Sequence, residues 1–113
     1  MINSIKKNSD FQKVYKTGKS YANRYLVMYV TPNDLGYNQL GISVSKKVGN
    51  SVVRHRITRL IREAYRLNEN GFNSSLNLVV IARNSAKGKN YKEIESALLH
   101  LGKLHGIVKQ SDR

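Results

Sequence analysis

Hydrophobic and polar positions recur along this chain with two different periods, and the switches between them mark its elements. Phe11, Val14 and Tyr15 share one face at helical spacing, Ser9 and Gln12 stand as a capping box, and Gly18 stops the run. A short helix over residues 9–17 is predicted. Residues 25–31 alternate with period two, placing Tyr25, Val27 and Tyr29 on one face and Leu26, Met28 and Val30 on the other. Both faces of this strand are apolar, so each is covered by protein or serves as a ligand surface. Pro32, Asn33, Asp34 and Gly36 supply turn chemistry, and residues 40–45 then alternate Leu40, Ile42 and Val44 with Gly41, Ser43 and Ser45. These two runs read as an antiparallel hairpin.

Val53, Ile57, Leu60, Ile61 and Ala64 follow the spacing of an amphipathic helix over residues 51–68. A polar loop over residues 68–75 precedes residues 76–82, a continuous apolar run of the kind buried on both sides of a sheet. Residues 85–90 form a basic loop. A last helix starts near Tyr91, with Ile94, Ala97, Leu98, Leu101 and Leu104 at helical spacing. Residues 19–22 leave room for one further short strand. The order predicts an α+β fold, a small two-layer sandwich forming one domain over residues 1–113.

Charge changes this picture from a generic fold to a binding surface. Twenty Lys and Arg against seven Asp and Glu leave a formal charge of +13 on 113 residues. Such a field draws nucleic acid or an anionic membrane surface, and self-repulsion asks for a polyanionic partner. With 40% hydrophobic residues the chain has enough apolar material for one core. No apolar run approaches a membrane span, and the basic, polar start of the chain has no secretory h-region. The absence of cysteine excludes disulfides, thiolate zinc sites and cysteine nucleophiles. A soluble cytoplasmic protein is expected.

The cations are concentrated on the middle helix. With about 100° per residue, His55, Arg59, Arg62 and Arg66 fall opposite the apolar stripe, while Arg54 and Arg56 flank it. Glu63 is the one acidic residue between Lys46 and Arg66. Solvated helices ordinarily mix signs at spacings of three and four, and this one does not. Guanidinium forks match phosphate oxygens, and the helix opens at Gly49-Asn50-Ser51 behind Lys46 and Lys47, where its N–H groups and positive dipole end can meet a further phosphate. A phosphate-backbone surface follows, which on these grounds alone does not separate RNA from DNA; a structural RNA binder of the ribosomal-protein type would share it. A helix-turn-helix DNA binder fits less well, because the basic helix follows a strand.

Protein-borne catalysis finds little support. His100 and His105 point about 140° apart on a helix, and Glu93 and Glu95 about 200° apart. Neither pair makes a metal site or a general acid/base couple, and no phosphate-loop GxxxxGK[ST] sequence occurs.

The stretch LGISVSKKVGNSVVRHRITRLIRE over residues 40–63 resembles the signature of the bacterial ribonuclease P protein subunit. Asp10-Phe11-Gln12-Lys13-Val14-Tyr15, Gly18, Ala22-Asn23-Arg24 and Ile81-Ala82-Arg83 match in order and spacing, so the resemblance covers nearly the whole chain. It implies a left-handed βαβ crossover through the arginine helix, against the usual right-handed expectation. It also implies a non-catalytic protein whose partners are a catalytic ribonuclease P RNA and precursor tRNA, from which the 5′ leader is cut. Magnesium would be required by the RNA of the holoenzyme, with no cofactor on the protein.

By the same resemblance, RNA binding falls on Lys46, Lys47, Gly49, Asn50, Arg54, His55, Arg56, Arg59, Arg62 and Arg66. A leader-binding cleft falls on Lys7, Phe11, Lys13, Tyr15, Tyr25 and Tyr29, between the first helix and the sheet. Aromatic faces with basic neighbours suit a single strand of variable sequence. The chain departs from the family pattern at His55, where Asn is usual, and at Thr58, a commonly basic position. A histidine there makes any phosphate contact pH-sensitive and puts a metal role in doubt.

Overall fold

The structure, a computed structural model, describes residues 2–109. Eight elements carry the fold: β1 (Asn3–Ser4), α1 (Asn8–Thr17), β2 (Lys19–Ala22), β3 (Leu26–Pro32), β4 (Gln39–Ser43), α2 (Ser51–Asn68), β5 (Leu76–Ala82) and α3 (Tyr91–His105). The five strands form one sheet in the order β1-β4-β5-β3-β2. The strand expected at residues 19–22 is present, and the two-residue β1 is an element the polar N-terminus does not announce.

The expected hairpin does not form. β5 lies between β3 and β4, antiparallel to the first with Tyr29 opposite Val79, and parallel to the second with Gly41 opposite Val79. The reason lies in β5 itself: Leu78, Val79 and Val80 are all fully buried, so this strand needs a neighbour on each edge and a cover on each face. Chain proximity alone favours the β3–β4 pairing; burial of β5 outweighs it. The β4–α2–β5 connection is the parallel crossover through the arginine helix.

Strand alternation splits the core. Leu26, Met28, Leu40, Leu78 and Val80 face α2 and α3, whose Ile57, Ile61, Ala64, Ile94, Leu98 and Leu101 complete the main cluster. The opposite face holds a smaller cluster in which Ile5, Val14 and Val79 pack with Phe11, Tyr15, Tyr29 and Ile81 beneath α1. Because α1 has only ten residues, it covers only part of that face.

Helix ends follow their chemistry with one exception. Asn50 caps α2 by accepting from the Val53 N–H, and Asn90 and Glu93 form a reciprocal capping box on α3. The box expected at Ser9 and Gln12 is absent: α1 starts one residue earlier, with Lys7 at the N-cap and no side-chain cap. Gly18 ends α1 in an extended conformation, so a positive φ is not what requires glycine there. A Cβ would lie 2.5 Å from the Val14 carbonyl oxygen, and this close approach is the constraint.

Phe72 and Asn38 are among the buried residues that lie outside the periodic runs. Phe72, 3% exposed, packs against Tyr65 with ring centroids 5.2 Å apart. Asn38 donates to the Tyr65 hydroxyl and the Asn73 carbonyl, and accepts from the Leu76 N–H. Leu104, expected on the packed face of α3, is instead exposed.

His105 closes α3 against the sheet. Its Nε2 lies 2.8 Å from the Met28 carbonyl, which favours the neutral Nε2–H tautomer, and its ring meets Tyr21 edge-on at 4.7 Å. Burial holds its pKa below the ordinary imidazole value, partly offset by the Met28 contact, with Lys19 adding to the depression. The unfolded chain therefore takes up this proton first as pH falls. Stability from this group is present above about pH 6.5 and is lost below it. The melting temperature is expected to fall between about pH 7.5 and 5.5, and to fall less in His105→Gln; equal slopes would show that His105 is not the group responsible.

Candidate nucleic-acid interface

The outward face of α2 carries His55, Arg56, Arg59 and Arg62, all exposed, on a helix anchored by the buried Ile57, Ile61, Ala64 and Tyr65. Arg56, Arg59, Leu60, Arg62, Glu63 and Arg66 line an open groove with Ile2 from the N-terminal segment, and Ser51, Val52, His55, Arg56 and Arg59 line a second around the first turns. The first turn holds no acidic residue. Asn50 satisfies the Val53 N–H, so the Ser51 and Val52 N–H groups remain for an anion. Lys46 and Lys47 stand exposed in the turn before α2, held by the buried Val48.

The arginines divide by their partners. Arg54 is half-buried and its Nε donates to the Gly49 carbonyl, latching the start of the helix. Arg56 donates to the Lys89 carbonyl and Arg62 to the Ser4 hydroxyl, neutral contacts that fix direction without removing charge. Arg66 is the exception to an unpaired face: it makes a two-pronged contact with Glu63, at 2.9 and 2.7 Å. This is the one ion pair among the described residues. The Glu63 carboxyl is held below its ordinary pKa by the hydrogen bond from Arg66. The spacing of three between them is the signal that a count of charges overlooks. Gly49 admits the helix start, since a Cβ would come within 2.8 Å of the Val53 side chain.

A second surface lies on the α1 side of the sheet. Phe11 and Tyr15 project from α1, and Tyr29 from β3, all half-buried. Tyr15 sits between the others, 5.1 Å from Tyr29 edge-on and 6.3 Å from Phe11. Burial holds the Tyr15 hydroxyl above its ordinary pKa, partly offset by Ser43, so it stays a neutral phenol. Phe11 rests on Gly41, where a Cβ would lie 2.8 Å from the ring. A glycine within a strand signals such an approach. Gly41→Ala is expected to cost about 1–3 kcal/mol by overpacking and to displace Phe11. Denaturant unfolding and the Phe11 ring resonances check this; an unmoved ring would show that Gly41 does not set its position.

Two residues expected in this cleft lie elsewhere. Lys13 projects from the opposite flank of α1, into a groove with Asp10, Thr17, Asn33, Asp34 and Asn77. Tyr25 precedes β3, so the alternation that places Tyr29 does not extend to it; it packs on the main core cluster beside the start of α3. Lys7 is exposed at the N-cap of α1, one turn before Phe11. Gly41, Ser43, Ser4 and Lys89 are contributors that motif reading does not single out.

A single-sheet α+β domain with a cationic helix face and a separate aromatic row defines a small basic protein shaped for a polyanion. Comparison with known proteins gives the particular family. The model of the ribonuclease P family matches residues 2–105. The ribonuclease P protein component of Lachnoclostridium phytofermentans is 63% identical over 112 residues, covering 99% of this chain and 97% of its own length. That of Alkaliphilus metalliredigens is 57% identical over 99 residues, covering 88% and 89%. The RNase P protein of Staphylococcus aureus superposes with a TM-score of 0.86 at 40% identity, covering 96% of this chain and all of its own. That of Thermotoga maritima gives 0.82 at 30%, covering 90% and 96%. The chain belongs to the ribonuclease P protein family. Its place is in the ribonuclease P holoenzyme, with an RNA as partner, in the processing of tRNA.

Proposed function

We propose that the chain binds the RNA subunit of ribonuclease P through the α2 face and holds the 5′ leader of precursor tRNA on Phe11, Tyr15 and Tyr29. Cleavage is the work of the RNA, in the cytoplasm. The observation that carries this reading is the separation of the two surfaces. Arg56, Arg59 and Arg62 face outward with no carboxylate partner among the described residues, while the aromatic row lies on the other side of the sheet. Guanidinium groups on a rigid helix grip a folded backbone, and aromatic faces accept successive bases whatever their identity. A leader of variable sequence needs the second kind of contact.

Magnesium belongs to the RNA in this reading. His55 shares its groove with Arg56 and Arg59, a cationic setting that disfavours a divalent ion. Among the described residues no cluster of three or more His, Asp or Glu gathers to hold one.

The test is reconstitution. Added to a bacterial ribonuclease P RNA at low magnesium, the chain is expected to stimulate removal of the 5′ leader from precursor tRNA. Failure of the folded chain to stimulate any such RNA would overturn the reading.

A further inference from the structure

The segment Asn23-Arg24-Tyr25, which leaves the leader cleft in the structure, builds a pocket of its own. Its backbone is pinned from three directions. The Asn23 side chain accepts from the Tyr25 and Leu26 N–H groups and donates to the Ala97 carbonyl. Arg83 donates to the Asn23 carbonyl, and the Ser85 hydroxyl to the Arg24 carbonyl. This holds Tyr25 against a cavity of about 440 Å³ whose far wall is the first three turns of α3.

Cations outnumber acids at this pocket. The Arg24 guanidinium lies 5.9 Å from the centre of the Tyr25 ring and the Lys89 ammonium 5.4 Å from it. Cations held by an aromatic face keep their full charge, unlike cations held by a carboxylate. Lys92 adds a third cation at the rim. The one acidic residue present, Glu93, is engaged in the α3 capping box, accepting from the Asn90 N–H. That box also satisfies the helix start, so recognition here rests on side chains. The Ser96 hydroxyl and the His100 ring, whose Nδ1 lies 3.1 Å from Asn23 Nδ2, add hydrogen-bonding groups to the wall.

This pocket continues the cationic face of α2, because Arg56 grips the carbonyl of the same Lys89 whose ammonium caps Tyr25. We propose that it is a second nucleotide site, taking one unpaired nucleotide of the RNA bound along α2. The phosphate lies on Arg24 and Lys89 and draws the Lys89 ammonium off the Tyr25 ring, the base takes its place against that ring, and the base edge points toward Ser96 and His100. An aromatic ring beside paired cations is the chemistry that recognises a base joined to a phosphate. The inference rests on RNA being the partner, and it adds a site distinct from the aromatic row.

Backbone amide spectra of the whole chain, titrated with a single-stranded hexaribonucleotide, test it. Saturable shifts are expected at Tyr25, Ser96 and His100, separate from those around Phe11 and Tyr29. Arg24→Ala with Lys89→Ala, which keeps the Lys89 carbonyl for Arg56, is expected to weaken the pocket response about tenfold and leave the Phe11 response unchanged. Tyr25→Leu is expected to do the same; if it fails to fold, the cation pair decides. Shifts confined to Phe11 and Tyr29 would sink the second site and leave the leader reading standing. Equal pocket shifts with inorganic phosphate alone would reduce it to an anion site. Pocket shifts with a hexaglutamate peptide in place of the oligonucleotide would assign it to a protein partner. Silence at both surfaces would overturn the leader reading as well.

Discussion

Arg59→Ala combined with Arg62→Ala is expected to weaken association with ribonuclease P RNA by about tenfold per arginine, ~1.5 kcal/mol each. Both side chains are exposed and neither meets a carboxylate among the described residues, so the fold is expected to lose at most about 0.5 kcal/mol. Each guanidinium that contacts one phosphate releases counterions, so the log–log dependence of binding on salt should flatten by about 1.4 to 1.8 units for the pair. Arg66→Ala is the internal control. Its guanidinium is already engaged by Glu63, so its effect on binding should be clearly smaller. Titrations at several salt concentrations read all three quantities. Equal losses from Arg59, Arg62 and Arg66 would show that the Glu63 pair does not govern which arginines face the RNA.

The largest loss of stability is expected from Asn38→Ala. This side chain is 9% exposed and satisfies three groups on three segments: the Tyr65 hydroxyl, the Asn73 carbonyl and the Leu76 N–H. Truncation strands all three in a site water reaches poorly, at a cost of about 2–4 kcal/mol. Removing one stranded group restores part of this. In Asn38→Ala with Tyr65→Phe the losses should therefore sum to less than the two single changes. Denaturant unfolding of the four proteins measures the coupling; strict additivity would deny the Asn38–Tyr65 bond any energetic role.

Periodicity reveals whatever is local. The packed face of α2 follows from residues three and four apart, and Ile57, Ile61 and Ala64 are buried as their spacing requires. Tyr65 joins them, a position that an aliphatic stripe passes over although it lies beside Ile61 on the wheel. Strand partners are not local. The β3 and β4 patterns each say strand and neither says with whom; the deciding fact is the double-sided burial of β5, far along the chain. Tyr25 shows the limit of extrapolation, since alternation holds only while the chain stays in the strand, and the turn at Asn23 ends it one residue too soon. Lys13 lies apart from the aromatic row for a simpler reason. Proximity in sequence to Phe11 and Tyr15 hides that it leaves the helix on the other side. The cationic surface of α2 is the most legible, because it rests on the scarcity of nearby acids in the sequence itself. The exception within it, Arg66, needs only the i, i+3 geometry of its own helix.

Ion pairs are scarce among the described residues, and this bears on how the molecule responds to salt. Its interior is joined by apolar contact and by hydrogen bonds other than ion pairs, which dissolved electrolyte weakens little, while its surplus of like charge is what electrolyte relieves. Raising ionic strength therefore pulls in two directions: it loosens the grip on RNA and eases the repulsion that strains the free polypeptide. A brine that strips the ribonucleoprotein apart should leave the released protein more robust.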